Sequence, residues 1–176
     1  MIIDCHGHFT TAPATLVDYR RALLEWAGTG GRPPSAPVFD DGEVREALEG
    51  SQVRLQRERG IDLVLFSPRA SAMAHHEGGL AVGVAWSRAC NDLVAQAAAL
   101  FPERFAPVCQ LPQAPGEPLD AASRNCAGAW RSWGSSLATS TRIRPVAGGA
   151  SRRSATRGGT RSTKPWSSWT CRRWCT

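Results

Sequence analysis

The last acidic residue of the chain is Asp120, and this divides the sequence into two stretches that cannot fold by the same rules. Up to Ala122 all 15 aspartates and glutamates face ten arginines, a net charge of −5. From Ser123 to Thr176 there are 11 arginines and lysines and no acidic residue. The overall charge of +6 would by itself suggest nucleic acid or an anionic surface as partner, but it averages two unlike parts. The second stretch also concentrates five of the seven tryptophans and three of the six cysteines. Its only aliphatic core formers are Leu137, Ile143 and Val146.

The first stretch reads as an α/β unit. Ile2 to His6 is a short apolar strand. Ala14 to Trp26 carries Leu16, Tyr19, Leu23 and Leu24 at helical spacing and stops at a run of glycines and prolines. Glu43 to Arg59 repeats the pattern with Val44, Leu48, Val53 and Leu55, and Gly60 closes it. The continuous apolar run from Ile61 to Ser67 predicts a parallel strand buried on both faces. A third helix over Leu80 to Leu100 and a third strand over Phe105 to Leu111 follow. Strands alternating with helices over short connections predict a parallel sheet covered by helices. A closed barrel needs eight such units, and about three are present.

No run of 18 apolar residues exists, and the N-terminus opens on a strand rather than a basic and apolar leader. The expectation is a cytoplasmic protein without a membrane partner. Cys5, Cys90 and Cys109 lack metal-ligand spacing and are expected to be buried thiols.

The tail after Ala122 admits three readings. Its arginines and tryptophans suit a nucleic-acid arm, in which case the protein is a basic-tailed binding module. Its serine, glycine and arginine content also suits a disordered tail. The third reading is translation out of frame. Tryptophan has one codon, TGG, so reading one base earlier converts each Trp into an NTG codon for Leu, Met or Val. With G/C-rich codons the shifted tail becomes a helix, a strand, a second helix and a second strand, ending in Pro-Ala-Met-Val-His. These are the elements that the first stretch lacks, and agreement at every level marks a sequence that evolved to fold. The expected division is therefore 1–122 as a partial barrel and 123–176 as out-of-frame translation without a native domain or a specific nucleic-acid partner. On that reading Cys171 and Cys175 are displaced valine codons, and their spacing carries no metal site.

The chemistry concentrates at the ends of the first two strands. In Asp4-Cys5-His6-Gly7-His8 the two histidines lie at positions i and i+2 of a strand, which point to one side and can share a metal. Neutral imidazoles suit Zn²⁺, Fe²⁺ or Mn²⁺; the competing reading is two surface histidines flanking a turn glycine. Arg69, just past the second strand, can grip a carboxylate with two N–H groups or sit in an ordinary salt bridge. His75 and His76 can polarise a carbonyl or move a proton, or be plain loop histidines. Ser67 and Ser71 can donate to a substrate or cap a turn.

MIIDCHGHF at the N-terminus resembles the first strand of the amidohydrolase superfamily, whose opening HxH motif holds the catalytic metal. SPRASAMAHH (Ser67 to His76) and LFPERFAPVCQLPQAPG (Leu100 to Gly116) narrow the resemblance to its 4-oxalomesaconate hydratases. These belong to the branch that also contains aminocarboxymuconate semialdehyde decarboxylase. The resemblance covers about residues 1–122, and the shifted tail extends it to the strand where the family has its third metal-binding histidine. Thr176 occupies that codon position. It implies the N-terminal part of a TIM-type (β/α)8 barrel and a Zn-dependent hydro-lyase of aromatic catabolism. In such an enzyme His6 and His8 would hold zinc, Arg69 would anchor a carboxylate of a di- or tricarboxylate substrate, and His75 or His76 would assist. A related decarboxylase or hydrolase is the alternative, and a homo-oligomeric parent is expected. With two of its metal ligands and about three strands, the chain itself is expected to be inactive.

Overall fold

The computed structural model describes residues 1–69, 72–74, 76–118, 120, 122, 124 and 128. By its internal contacts the chain divides into Met1–Ser140 and Thr141–Thr176, and all described residues lie in the first unit. Three parallel strands, β1 (Ile3–Phe9), β2 (Leu63–Pro68) and β3 (Phe105–Pro107), form a sheet in the order β1-β2-β3. Between β1 and β2 the chain crosses through α1 (Ala14–Thr29) and a second helical stretch. That stretch comprises α2 (Asp41–Leu48), a π-helical turn (Glu49–Val53) and α3 (Arg54–Arg59). The helix α4 (Gly79–Leu100) carries the chain from β2 to β3. This is the expected α/β architecture of successive strand–helix units.

The helix boundaries have local causes. Asp40 caps α2, its carboxylate accepting the Glu43 amide at 3.0 Å. At the end of α3, Gly60 adopts the left-handed conformation (φ 65°) that costs a residue without a Cβ least. The Gly60 amide then donates to Arg57 and the Ile61 amide to Gln56, satisfying two otherwise orphaned carbonyls.

The core lies on one side of the sheet. Leu16, Tyr19 and Leu23 of α1 form a buried stripe, as do Val44 and Leu48 of α2. α4 packs against both of these helices and against β2 and β3, burying Val82, Trp86, Leu93 and Val94. Each strand contributes one phenylalanine to this side. Phe9, Phe66 and Phe105 run across the sheet with ring centroids 5.3 and 4.3 Å apart.

Three sequence expectations need correction. β2 is buried on one face only: Val64 and Phe66 are enclosed by helices, whereas Leu65 on the other face is 36% exposed. The apolar run identifies the strand correctly but does not say what covers its second side. Cys5 is likewise exposed on β1, while Cys90 is buried and Cys109 half-buried. Finally, β3 ends at Pro107, well before Leu111. The buried Asn91 of α4 receives the Gln110 amide at 2.8 Å and donates to the Gln110 carbonyl at 3.0 Å. A side-chain amide thus takes the two backbone groups that a neighbouring strand would otherwise satisfy.

Two outcomes test this packing. Phe66 is fully buried between two other rings, so Phe66→Ala should lower stability by about 3–5 kcal/mol in urea denaturation. Burial pushes the Cys90 thiol from 9.0 up to about 12. The unfolded thiol ionises first as pH rises, so stability should be lost between pH 9.0 and about 12. Cys90→Ala should flatten that part of the urea-midpoint profile.

Candidate metal centre

The ladder between β1 and β2 is interrupted once. Asp4 pairs with Val64 and Gly7 with Phe66, so β1 advances three residues while β2 advances two. Cys5 and His6 therefore share the place opposite Leu65, a bulge with one extra residue. The extra residue changes the parity of the strand. Beyond it, His6 and His8 lie on the side away from the helices, and Gly7 and Phe9 on the helix side. Asp4 stabilises the irregularity by accepting the His6 amide at 2.9 Å, a donor that the bulge removes from the ladder.

Gly7 is required by space. A Cβ at this position would collide with the Val64 side chain and lie 3.2 Å from the Leu65 carbonyl. With only hydrogen there, β1 approaches β2 closely, and the flanking histidines stand beside the end of β2.

The two imidazoles meet edge to face, with centroids 4.8 Å apart and planes at 86°. Their Nε2 atoms are 3.2 Å apart. For metal–nitrogen bonds of about 2.0–2.1 Å, that separation subtends about 100° at a shared ion, between the octahedral and tetrahedral angles. The separation of the two nitrogens therefore suits a shared divalent cation. Among the described residues no cluster of three or more His, Cys, Asp or Glu could hold a metal, so the pair supplies two ligands. The other edge of His8 is also engaged. Its Nδ1 lies 2.8 Å from Ser67 Oγ and 3.3 Å from the Pro68 carbonyl, and Ser67 donates to the Gly7 carbonyl at 2.9 Å.

The loop after β1 is tied down by the π-helical turn. Gln52 donates to the His8 carbonyl at 3.3 Å and to Thr10 Oγ1 at 2.9 Å, and it accepts from Thr11 at 3.1 Å. Beside the strand ends, on the helix side of the sheet, lies a cavity of about 150 Å³ walled by Phe9, Pro68, Arg69, Trp86, Cys90 and others; neither histidine lines it. Arg20 braces the following loop, donating to the Ala72 carbonyl at 2.5 Å and to Glu77 at 3.0 Å.

The structure thus brings together His6, His8 and Ser67 among the residues singled out from the sequence. Arg69 is exposed on the cavity wall, directly after β2. His76 is exposed in the loop before α4. Ser71 and His75 lie outside the described residues. Sequence reasoning missed Asp4 and Gln52. Asp4 gave a faint signal as an acidic residue two positions before HxH, but Gln52 has none, because its role depends on an unusual helical turn.

The sequence profile of the amidohydrolase family matches residues 3–140. The chain belongs to this family, whose members are usually metal-dependent. Over 115 residues it is 50% identical to the 2-keto-4-carboxy-3-hexenedioate hydratase of Sphingobium sp. (strain NBRC 103272 / SYK-6). That match covers 65% of this chain and 34% of the relative. Among solved structures, the 4-oxalomesaconate hydratase LigJ from Rhodopseudomonas palustris superposes with a TM-score of 0.69 at 32% identity. It covers 76% of this chain and 40% of its own, and the shared architecture is of the TIM-barrel type. The chain thus spans little more than a third of the length of the relatives it matches. Both relatives are named as hydratases of small unsaturated carboxylic acids. Among the described residues no helix is long and apolar enough to cross a membrane.

The close approach at Gly7 gives a direct test. Gly7→Ala should destabilise the fold by about 1–3 kcal/mol, through overpacking against Val64. It should also weaken Co²⁺ binding, followed by the ion's visible absorption, because the strand cannot move without moving both histidines.

Proposed function

We propose that this chain is the N-terminal part of a Zn-dependent hydro-lyase that adds water across the double bond of an oxalomesaconate-type acid. The observation that carries the reading is the His6–His8 pair, its Nε2 atoms 3.2 Å apart at the end of β1, in a chain similar to two named hydratases. His6 and His8 would hold the zinc, which supplies Lewis acidity when bound. Arg69, exposed just past β2, would bind a carboxylate of the substrate through its planar pair of donors. His75 and His76 would move or hold a proton near the reacting carbons, and Ser71 would donate to the substrate. A decarboxylase or hydrolase of the same branch remains the alternative. The reading places the protein in the cytoplasm, with a homo-oligomeric parent and no specific nucleic-acid partner.

We further infer that the native frame is lost near Ala122/Ser123, so that residues 123–176 form no native domain. The charge break and the codon pattern support this, while the family match itself continues to residue 140. Sequencing the gene across the junction decides it; an intact frame overturns it.

The chain as translated should show no hydratase turnover, because zinc in a catalytic site usually takes three protein ligands and only two are brought together among the described residues. Restoring one base near the junction should yield a product that consumes oxalomesaconate, followed by loss of its conjugated ultraviolet absorption. In that product His6→Gln or His8→Gln should reduce kcat by more than about 10²-fold, as should chelation of the metal. Full turnover by either variant would overturn the assignment.

A further inference from the structure

The geometry points to Ser67 as a positioning residue that fixes which nitrogen of His8 carries the proton. Three acceptors decide the matter. The Pro68 carbonyl, 3.3 Å from His8 Nδ1, can only accept. The Gly7 carbonyl, 2.9 Å from Ser67 Oγ, can also only accept, and placing the single hydroxyl proton of Ser67 there, rather than on His8 Nδ1, is the arrangement that gives all three contacts a donor. The Ser67 oxygen then faces His8 Nδ1 at 2.8 Å with lone pairs alone. Both neighbours of Nδ1 are therefore acceptors, and Nδ1 carries hydrogen.

The neutral imidazole has one proton, so Nε2 of His8 is left with its lone pair. That nitrogen faces His6 Nε2 at 3.2 Å, on the side where a shared cation would sit. In the absence of a cation, His6 donates from its own Nε2 to His8. Ser67 thus sets up the metal-binding tautomer of His8 before any ion arrives, a role that hydrogen-bond partners of liganding histidines play generally. The same hydroxyl ties β2 to the Gly7 carbonyl, so side-chain tautomer and strand approach depend on one atom. This role rests on the metal reading of the site only for its purpose; the proton arrangement itself follows from the hydrogen bonds.

Nitrogen-15 NMR of the full, metal-free chain tests it. The chain has four histidines, and comparison with His8→Gln assigns the His8 ring. At about pH 8, above the ordinary histidine range, wild-type His8 should show a protonated Nδ1 and an unprotonated Nε2. Ser67→Ala, with an unchanged far-UV circular dichroism spectrum, should show mixed tautomers and about 10-fold or weaker Zn²⁺ binding. Ser67→Thr, which keeps the hydroxyl, should retain the wild-type pattern. An Nε2-protonated His8 in the wild-type chain overturns the proposal, and this needs no variant to fold. So does a Ser67→Ala chain with the wild-type tautomer. A wild-type chain with the described tautomer but no Zn²⁺ affinity would instead sink the metal reading and leave the role of Ser67 standing.

Discussion

The rest of the structure depends on one count, three residues of β1 against two of β2 between the pairs Asp4–Val64 and Gly7–Phe66. Side chains alternate along a strand, so a single extra residue exchanges the two faces from that point on. Before the bulge, Ile3 lies on the exposed face. After it, the histidines occupy that face and Phe9 enters the core. A regular strand would have to choose between burying Phe9 and exposing Ile3 along the same line. The bulge allows the strand to begin and end in the arrangement that each half needs.

The two sides of the sheet then obey different physics. On the helix side, close packing dominates: three phenylalanines, the stripes of α1 and α2 and the face of α4 fill the space, and Gly7 supplies the clearance. Around the histidines the interactions are few and directional. Asp4 holds the His6 amide, Ser67 holds Gly7 and His8, and Gln52 holds the His8 carbonyl and the threonines beyond it. Each of these contacts is specific, so the imidazole pair is held by hydrogen bonds rather than by bulk.

Much of this is legible in the order of the residues alone. The spacing of Leu16, Tyr19 and Leu23 marks a helix face, Gly60 marks a helix end, and HxH at a strand end marks two imidazoles on one side of the strand. What escapes the sequence does so for physical reasons. A continuous apolar strand looks the same whether its second face is covered or open, so Leu65 and Cys5 read as interior positions. A bulge leaves no compositional mark, and the reversal of parity after Asp4 is invisible in the amino-acid order. Ser67 reads as a substrate donor or a cap. Its engagement with His8 requires β1 and β2 to be adjacent and in this register, which local sequence does not encode. The early end of β3 is similar, since the Gln110 backbone beyond it is held by Asn91, 19 residues away.

The stretch of β1 just beyond its bulge touches a second irregularity, the wide turn at Glu49–Val53, through Gln52 and the His8 carbonyl. Each is a place where the backbone departs from its regular repeat, and each brings its side chain to the same strand end. The consequence concerns chain length rather than side-chain chemistry. A core of this kind absorbs many volume-conserving exchanges. The two irregular segments absorb no single-residue deletion, because each would revert to a regular element and rotate everything beyond it. Around the histidines, the spacing of the backbone is therefore constrained more tightly than the identity of the side chains packed beneath.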